Sequence, residues 1–163
     1  MLGRYEPDKN DYHRAVIEAA GEEVVFLGAI FVKPVIRALR FHSAAYVHGH
    51  QVGGTNPSLV EAMGAGNPIF ARDNHFNRWV TGDSAKYFSS ASDFSDRLDD
   101  VLPRPEMLAQ MKAGTLQRFH EKFTWDAVLA EYEELLLKWL PDSDAHRSEA
   151  FVLEDTGDRQ LKL

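Results

Sequence analysis

The chain has 163 residues, 44% of them hydrophobic and 26% charged, a balance ordinary for one soluble globular domain. It contains no cysteine and carries a net charge of −7, which excludes disulfide scaffolds, thiolate metal sites and cysteine nucleophiles, and argues against nucleic acid as a partner. No apolar run approaches the roughly 18 residues of a membrane span, and residues 1–10 lack the apolar centre of a secretory signal. The expected location is cytoplasmic, or peripheral at the inner membrane face.

In chain order, Tyr12 to Ala20 reads as a helix closed by Gly21, and Val24 to Leu27 as a short buried strand closed by Gly28. Val35 to Phe41 reads as a helix with Val35, Ile36 and Leu39 on one side. Ala44 to His48 and Pro68 to Ala71 are two further buried strands, and Lys86 to Phe88 a fourth. A helix over 93–102 turns Phe94, Leu98, Val101 and Leu102 inward. Pro105 to Lys122 forms a long helix whose apolar face (Met107, Leu108, Met111, Leu116, Phe119) is interrupted by Thr115. Thr124 caps a last helix with a stripe of Trp125, Val128, Leu129, Tyr132, Leu136 and Trp139, read as core. Residues 142–163 are polar and read as a mobile tail. Short strands alternating with helices predict an α/β fold, a Rossmann-like parallel sheet with helices on both faces, over residues 1–141.

The segment that carries chemistry runs from His48 to Met63 and joins a strand to a helix. Gly53 and Gly54 let the backbone turn and approach a ligand, Asn56 is a good N-cap, and Pro57 suits the first helical position. The N–H groups of Ser58, Leu59 and Val60 are then expected to be unpaired at the carboxyl edge of the sheet, where a helix end favours phosphate. Glu61, one turn in, can accept two hydroxyls of a ribose; it can equally be an early-helix acid that complements the dipole.

Gly53-Gly54-Thr55-Asn56-Pro57-Ser58-Leu59-Val60-Glu61-Ala62-Met63-Gly64-Ala65-Gly66-Asn67-Pro68 resembles the donor-site signature of GT-B fold retaining glycosyltransferases. With residues 48–52 before it and 73–78 after it, the run is similar to bacterial rhamnosyltransferase-like enzymes of family four (glycosyltransferase group 1). The resemblance covers roughly Glu23 to Phe88. It implies the C-terminal, donor-binding half of such an enzyme, acting in surface polysaccharide synthesis on a UDP-, GDP- or dTDP-linked sugar and a saccharide or lipid-linked acceptor.

On that resemblance Glu61 holds the nucleotide ribose, while Gly53, Gly54, Thr55, Asn56, Pro57, Ser58 and Leu59 line the donor, the last three touching its phosphates through their backbone. Gly28 to Phe31 borders the base. His48 and His50 face the donor sugar or phosphate and are the candidate catalytic residues. Asn74 and Arg78 are candidates for neutralising phosphate or meeting the acceptor, on their own chemistry rather than the family's pattern. The family's first glutamate falls at Gly53, so the sugar must be held differently here. The acceptor-binding domain of a complete enzyme has no counterpart in these residues.

Gly3 to Asn10 superficially resembles a diphosphate-binding G-R-x-x-P-E-K-N segment, but the spacing to Val24 favours Leu2-Gly3 as the end of a neighbouring strand, with the domain's first strand absent. No cofactor or metal is expected. Two readings compete: a non-catalytic nucleotide-binding or assembly module, and a metal-dependent hydrolase using the His48-x-His50 pair with His42, Asp73 or His75. The second suffers because 163 residues cannot form the (β/α)₈ barrel where such a pair is usual.

Overall fold

Three parallel strands carry the core of the computed structural model, which describes residues 1–140. β1 (Tyr46–His48), β2 (Ile69–Arg72) and β3 (Ala85–Phe88) lie side by side in chain order. Tyr46 stands opposite Ile69 and His48 opposite Ala71, while Ile69 and Arg72 stand opposite Ala85 and Phe88. The helices are α1 (Asp11–Glu18), α2 (Lys33–His42), α3 (Pro57–Gly64), α4 (His75–Thr81), α5 (Ala91–Val101), α6 (Pro105–Lys122) and α7 (Trp125–Trp139). Parallel neighbours need a crossover. α3 provides the first, and α4 with a 3₁₀ turn at Gly82–Ser84 provides the second.

Side chains alternate across a strand, so the two faces of β2 serve two clusters. Ile69 and Ala71 pack with Leu59 and Met63 of α3, Val80 of α4 and Ala85 of β3. Phe70 faces the other way, with Phe88, Val101 of α5 and Met111 of α6. The sheet is therefore covered on both faces, as its apolar strands predict. Phe70, Ile69, Leu59 and Met63 are fully buried.

Asn67 ties the layers together ahead of β2. Its side-chain Nδ2 donates to Arg40 O at 2.6 Å and to Ser43 Oγ at 2.9 Å, and its backbone carbonyl accepts from Thr115 Oγ1 at 3.1 Å. Thr115 interrupts the apolar face of α6 for this reason: it is fully buried, and its hydroxyl reaches Asn67.

Three sequence expectations change. Val24–Leu27 is extended but outside the sheet: Met1 N donates to Val25 O, and Leu27 N to Met1 O and Gly3 N to Gly28 O, each at 3.0 Å. One side of it stays exposed, Val25 at 62% and Leu27 at 46%, while Val24 and Phe26 are half-buried and Phe26 packs edge-on against Tyr5. α4 has no counterpart among the elements read from the sequence, since His75 to Thr81 has no clean apolar stripe; Asn74, whose side chain accepts from Asn77 N at 2.9 Å, starts it. Leu102 at the end of α5 is 44% exposed rather than inward. The chain divides into two compact units, Met1–Thr124 and a second from Trp125 onward, whose described part is α7. None of α7's residues is buried, so its apolar stripe is not core here. The expected tail over 142–163 lies outside the described residues.

Candidate functional site

The carboxyl end of β1 delivers His48 into a small cavity of about 180 Å³, closed by the loop to α3 and by α4. His48 is 1% exposed. Its ring stacks on His50 with centroids 4.6 Å apart and planes 17° apart, so the two imidazoles do share one side, as the H-x-H spacing predicts. Tyr46, two residues earlier on the same face, brings its hydroxyl 3.5 Å from His48 Nδ1. The other ring nitrogen, Nε2, is buried with no partner. Burial and the charge of His50 push the His48 imidazole down to about 4, so it is neutral at neutral pH.

Two asparagines hold the strand–loop junction. Asn77 donates through Nδ2 to His50 O at 3.1 Å and to Arg72 O at 2.8 Å, and Asn74 Nδ2 donates to the same His50 carbonyl at 3.0 Å. Asn77 was not singled out in the sequence. The signal was there in the Asn-x-x-Asn spacing, which sets Asn74 as cap and turns Asn77 back towards the strand ends.

The loop then exposes Val52, Gly53, Gly54 and Thr55 around the cavity mouth. Gly53 has φ +117, a conformation that L side chains rarely adopt. A glutamate there, as the family pattern has it, would be strained. Asn56 caps α3 as expected, and this corrects one expectation. Its Oδ1 accepts from Ser58 N at 3.0 Å, and its carbonyl accepts from Leu59 N at 3.0 Å and Val60 N at 3.2 Å. The three N–H groups expected to be unpaired are therefore engaged with Asn56. Leu59 points its side chain into the core, so only its backbone faces the loop side.

Glu61 faces away from this cavity. It lines a second, larger one of about 680 Å³ between α2 and α3, with Lys33, Arg37 and Phe41 on the opposite wall. Arg40 pairs with it at 2.6 Å from a side chain only 15% exposed, while Glu61 itself is 58% exposed. Tyr46 senses both charges of the pair, and burial raises its phenol above the ordinary value. Tyr46 and Arg40 were not picked out from the sequence: they meet Glu61 and His48 only through folding.

The remaining candidates lie apart. Gly28 turns the backbone with φ +70 and lines neither cavity. Arg78 is taken up by Asp73, donating at 2.6 and 2.8 Å, and stacks over Tyr87. This hydrogen bonding holds the Asp73 carboxyl below the usual range. Among the described residues no group of three or more His, Cys, Asp or Glu is placed to hold a metal ion, and no helix is long and apolar enough to cross a membrane.

Comparison of the whole structure decides the fold. Over 84% of its length the chain superposes on sucrose-phosphate synthase from Thermosynechococcus elongatus, with a TM-score of 0.67 and 19% identity. It superposes equally on Anabaena HepE in complex with UDP, with a TM-score of 0.67 and 13% identity, and on HepE with UDP and glucose, with 0.66 and 15%. The fold is that of one half of a GT-B glycosyltransferase. The chain spans 37% of the first of these structures and 40% and 39% of the two HepE structures. No family model and no curated protein matches the sequence.

Proposed function

We propose that the chain is the donor-binding half of a retaining glycosyltransferase, taking a nucleotide-sugar and passing the sugar to a saccharide or lipid-linked acceptor. The observation that supports this most is the junction from β1 to α3. A glycine loop at the carboxyl ends of parallel strands, where ligands of open α/β sheets bind, leads into a helix carrying Glu61. Anabaena HepE, which shares the fold, binds UDP and glucose.

In this reading Glu61 takes the ribose hydroxyls from its place beside Arg40, and the loop backbone over 53–57 takes the sugar and diphosphate. Transfer breaks the bond from the sugar's anomeric carbon to the diphosphate and forms one to the acceptor on the same face. Positioning and stabilisation of the departing charge do most of the work, without a metal or a covalent enzyme intermediate. An acceptor-binding domain outside these residues closes over the site and excludes water. The bacterial rhamnosyltransferase-like group and polysaccharide synthesis are the narrower assignment, supported by the run from His48 to Arg78.

The test is thermal stabilisation by UDP, GDP, dTDP and their sugar conjugates, repeated with Glu61→Ala. A saturable shift from one nucleotide, lost in the variant, is the expected result. A stoichiometric shift with zinc and none with any nucleotide would replace this reading with the hydrolase.

A further inference from the structure

The cavity at the end of β1 is lined by no Asp, Glu, Lys or Arg among the described residues. That is unusual for a strand-end site meant to meet a diphosphate, and the nearby charges are already committed. Arg78 is bidentate on Asp73, and Arg40 is paired with Glu61. The polar side chains that do face the cavity are His48, His50, Thr55, Asn56 and the Asn74–Asn77 pair.

Size narrows the occupant further. About 180 Å³ is well below the roughly 300–1,000 Å³ of sites that enclose drug-sized ligands, and equals the liquid volume of about six waters. It is of the size of one sugar ring. Both N–H donors of the Asn77 amide are spent on His50 O and Arg72 O, and one of the Asn74 amide on the same His50 O. His48 is different: it is 1% exposed, lines the cavity, and has a buried Nε2 without a partner. A buried polar atom left unpaired is costly, and a ligand hydroxyl at that point removes the cost.

We propose that this cavity is a subsite for one uncharged sugar unit, that His48 Nε2 reads one of its hydroxyls, and that the absence of a cation makes it reject uronic acids. The proposal rests on the donor reading above and adds the class of sugar. A carboxylate entering here would lose water without gaining a partner. Neutral His48 cannot serve as its counter-ion, and freeing Arg78 would break two short hydrogen bonds to Asp73.

The experiment is direct binding by calorimetry to the 163-residue chain at about pH 8, where an ordinary imidazole is uncharged. The probes are matched pairs: UDP alone, UDP-glucose and UDP-glucuronate, then GDP alone, GDP-mannose and GDP-mannuronate. For whichever nucleotide binds, the neutral conjugate should bind at least tenfold more tightly than the uronate. His48→Phe, which keeps a ring against His50, should lower affinity for the neutral conjugate towards that of the bare nucleotide measured on the same variant. Equal affinity for the neutral sugar and its uronate, with the nucleotide bound, overturns the sugar assignment and leaves the donor site standing. A His48→Phe variant that keeps the neutral conjugate's full advantage overturns the role of Nε2. No binding of any nucleotide or conjugate overturns the donor reading, and this proposal with it.

Discussion

Lowering the pH should destabilise the protein through His48. Burial and the neighbouring His50 bring this imidazole from an ordinary value of 6.5 to about 4 in the folded chain. The unfolded chain therefore takes up its proton first as pH falls, so stability is intact above about 6.5 and is lost progressively down to about 4. Each pH unit inside that window is worth about 1.4 kcal/mol, which gives roughly 2 kcal/mol lost by pH 5 and on the order of 3 kcal/mol by pH 4. Against a total stability of about 5–15 kcal/mol for a small domain, that is a large fraction. Urea unfolding followed by circular dichroism at several pH values between about 7.5 and 4.5 measures it. Carboxylates contribute to any acid effect, so the informative quantity is the difference between wild type and His48→Gln. Wild type should lose the extra roughly 2 kcal/mol by pH 5, and the variant should not. Two curves that stay parallel through the window, or an NMR titration placing His48 near 6.5, would refute the reasoning.

Asn67→Ala should cost about 2–4 kcal/mol in chemical unfolding, because Arg40 O and Ser43 Oγ lose their buried donor. Gly66→Ala should cost about 2 kcal/mol or more: φ is +70, and the new Cβ would lie 3.1 Å from Leu116. Phe70→Ala removes a fully buried ring from the middle strand and should cost about 3–5 kcal/mol, lowering the midpoint in the same assay. Asn77→Ala removes one of the two amide donors on the His50 carbonyl and the amide donor on Arg72 O, and should speed amide exchange across residues 50–55 while leaving exchange in α6 unchanged.

Local patterns carried most of the fold. The apolar strands at Tyr46–His48 and Ile69–Arg72 could be read because continuous burial leaves continuous apolar runs, and α6 because Pro105 marks its start. α4 could not, since its exposed Trp79 and buried Asn77 invert the usual pattern. Val24–Leu27 looked like a core strand because its composition does not say whether a partner will cover it. At the site, the cap at Asn56 and the stacking of His48 on His50 followed from spacing. The partition did not. Nothing in the run from His48 to Glu61 says that Arg40 draws Glu61 to one side while His48 sits in a separate cavity lined by no Asp, Glu, Lys or Arg among the described residues. Those facts depend on residues brought in from α2 and α4, outside the run.

The cap at Asn56 also means that α3 arrives with its own stand-in for a ligand. Its Oδ1 and carbonyl occupy the Ser58, Leu59 and Val60 amides that an incoming oxyanion would want. A phosphate that reaches them does not fill an empty seat; it evicts an internal occupant, and its affinity is the difference between two similar hydrogen bonds. Replacing Asn56 by glycine would remove the side-chain competitor, weaken the helix by only a few tenths of a kcal/mol, and leave Ser58 N–H open to a visitor. The resting form keeps this helix end satisfied without a ligand, and a newcomer must outbid a neighbour that never leaves.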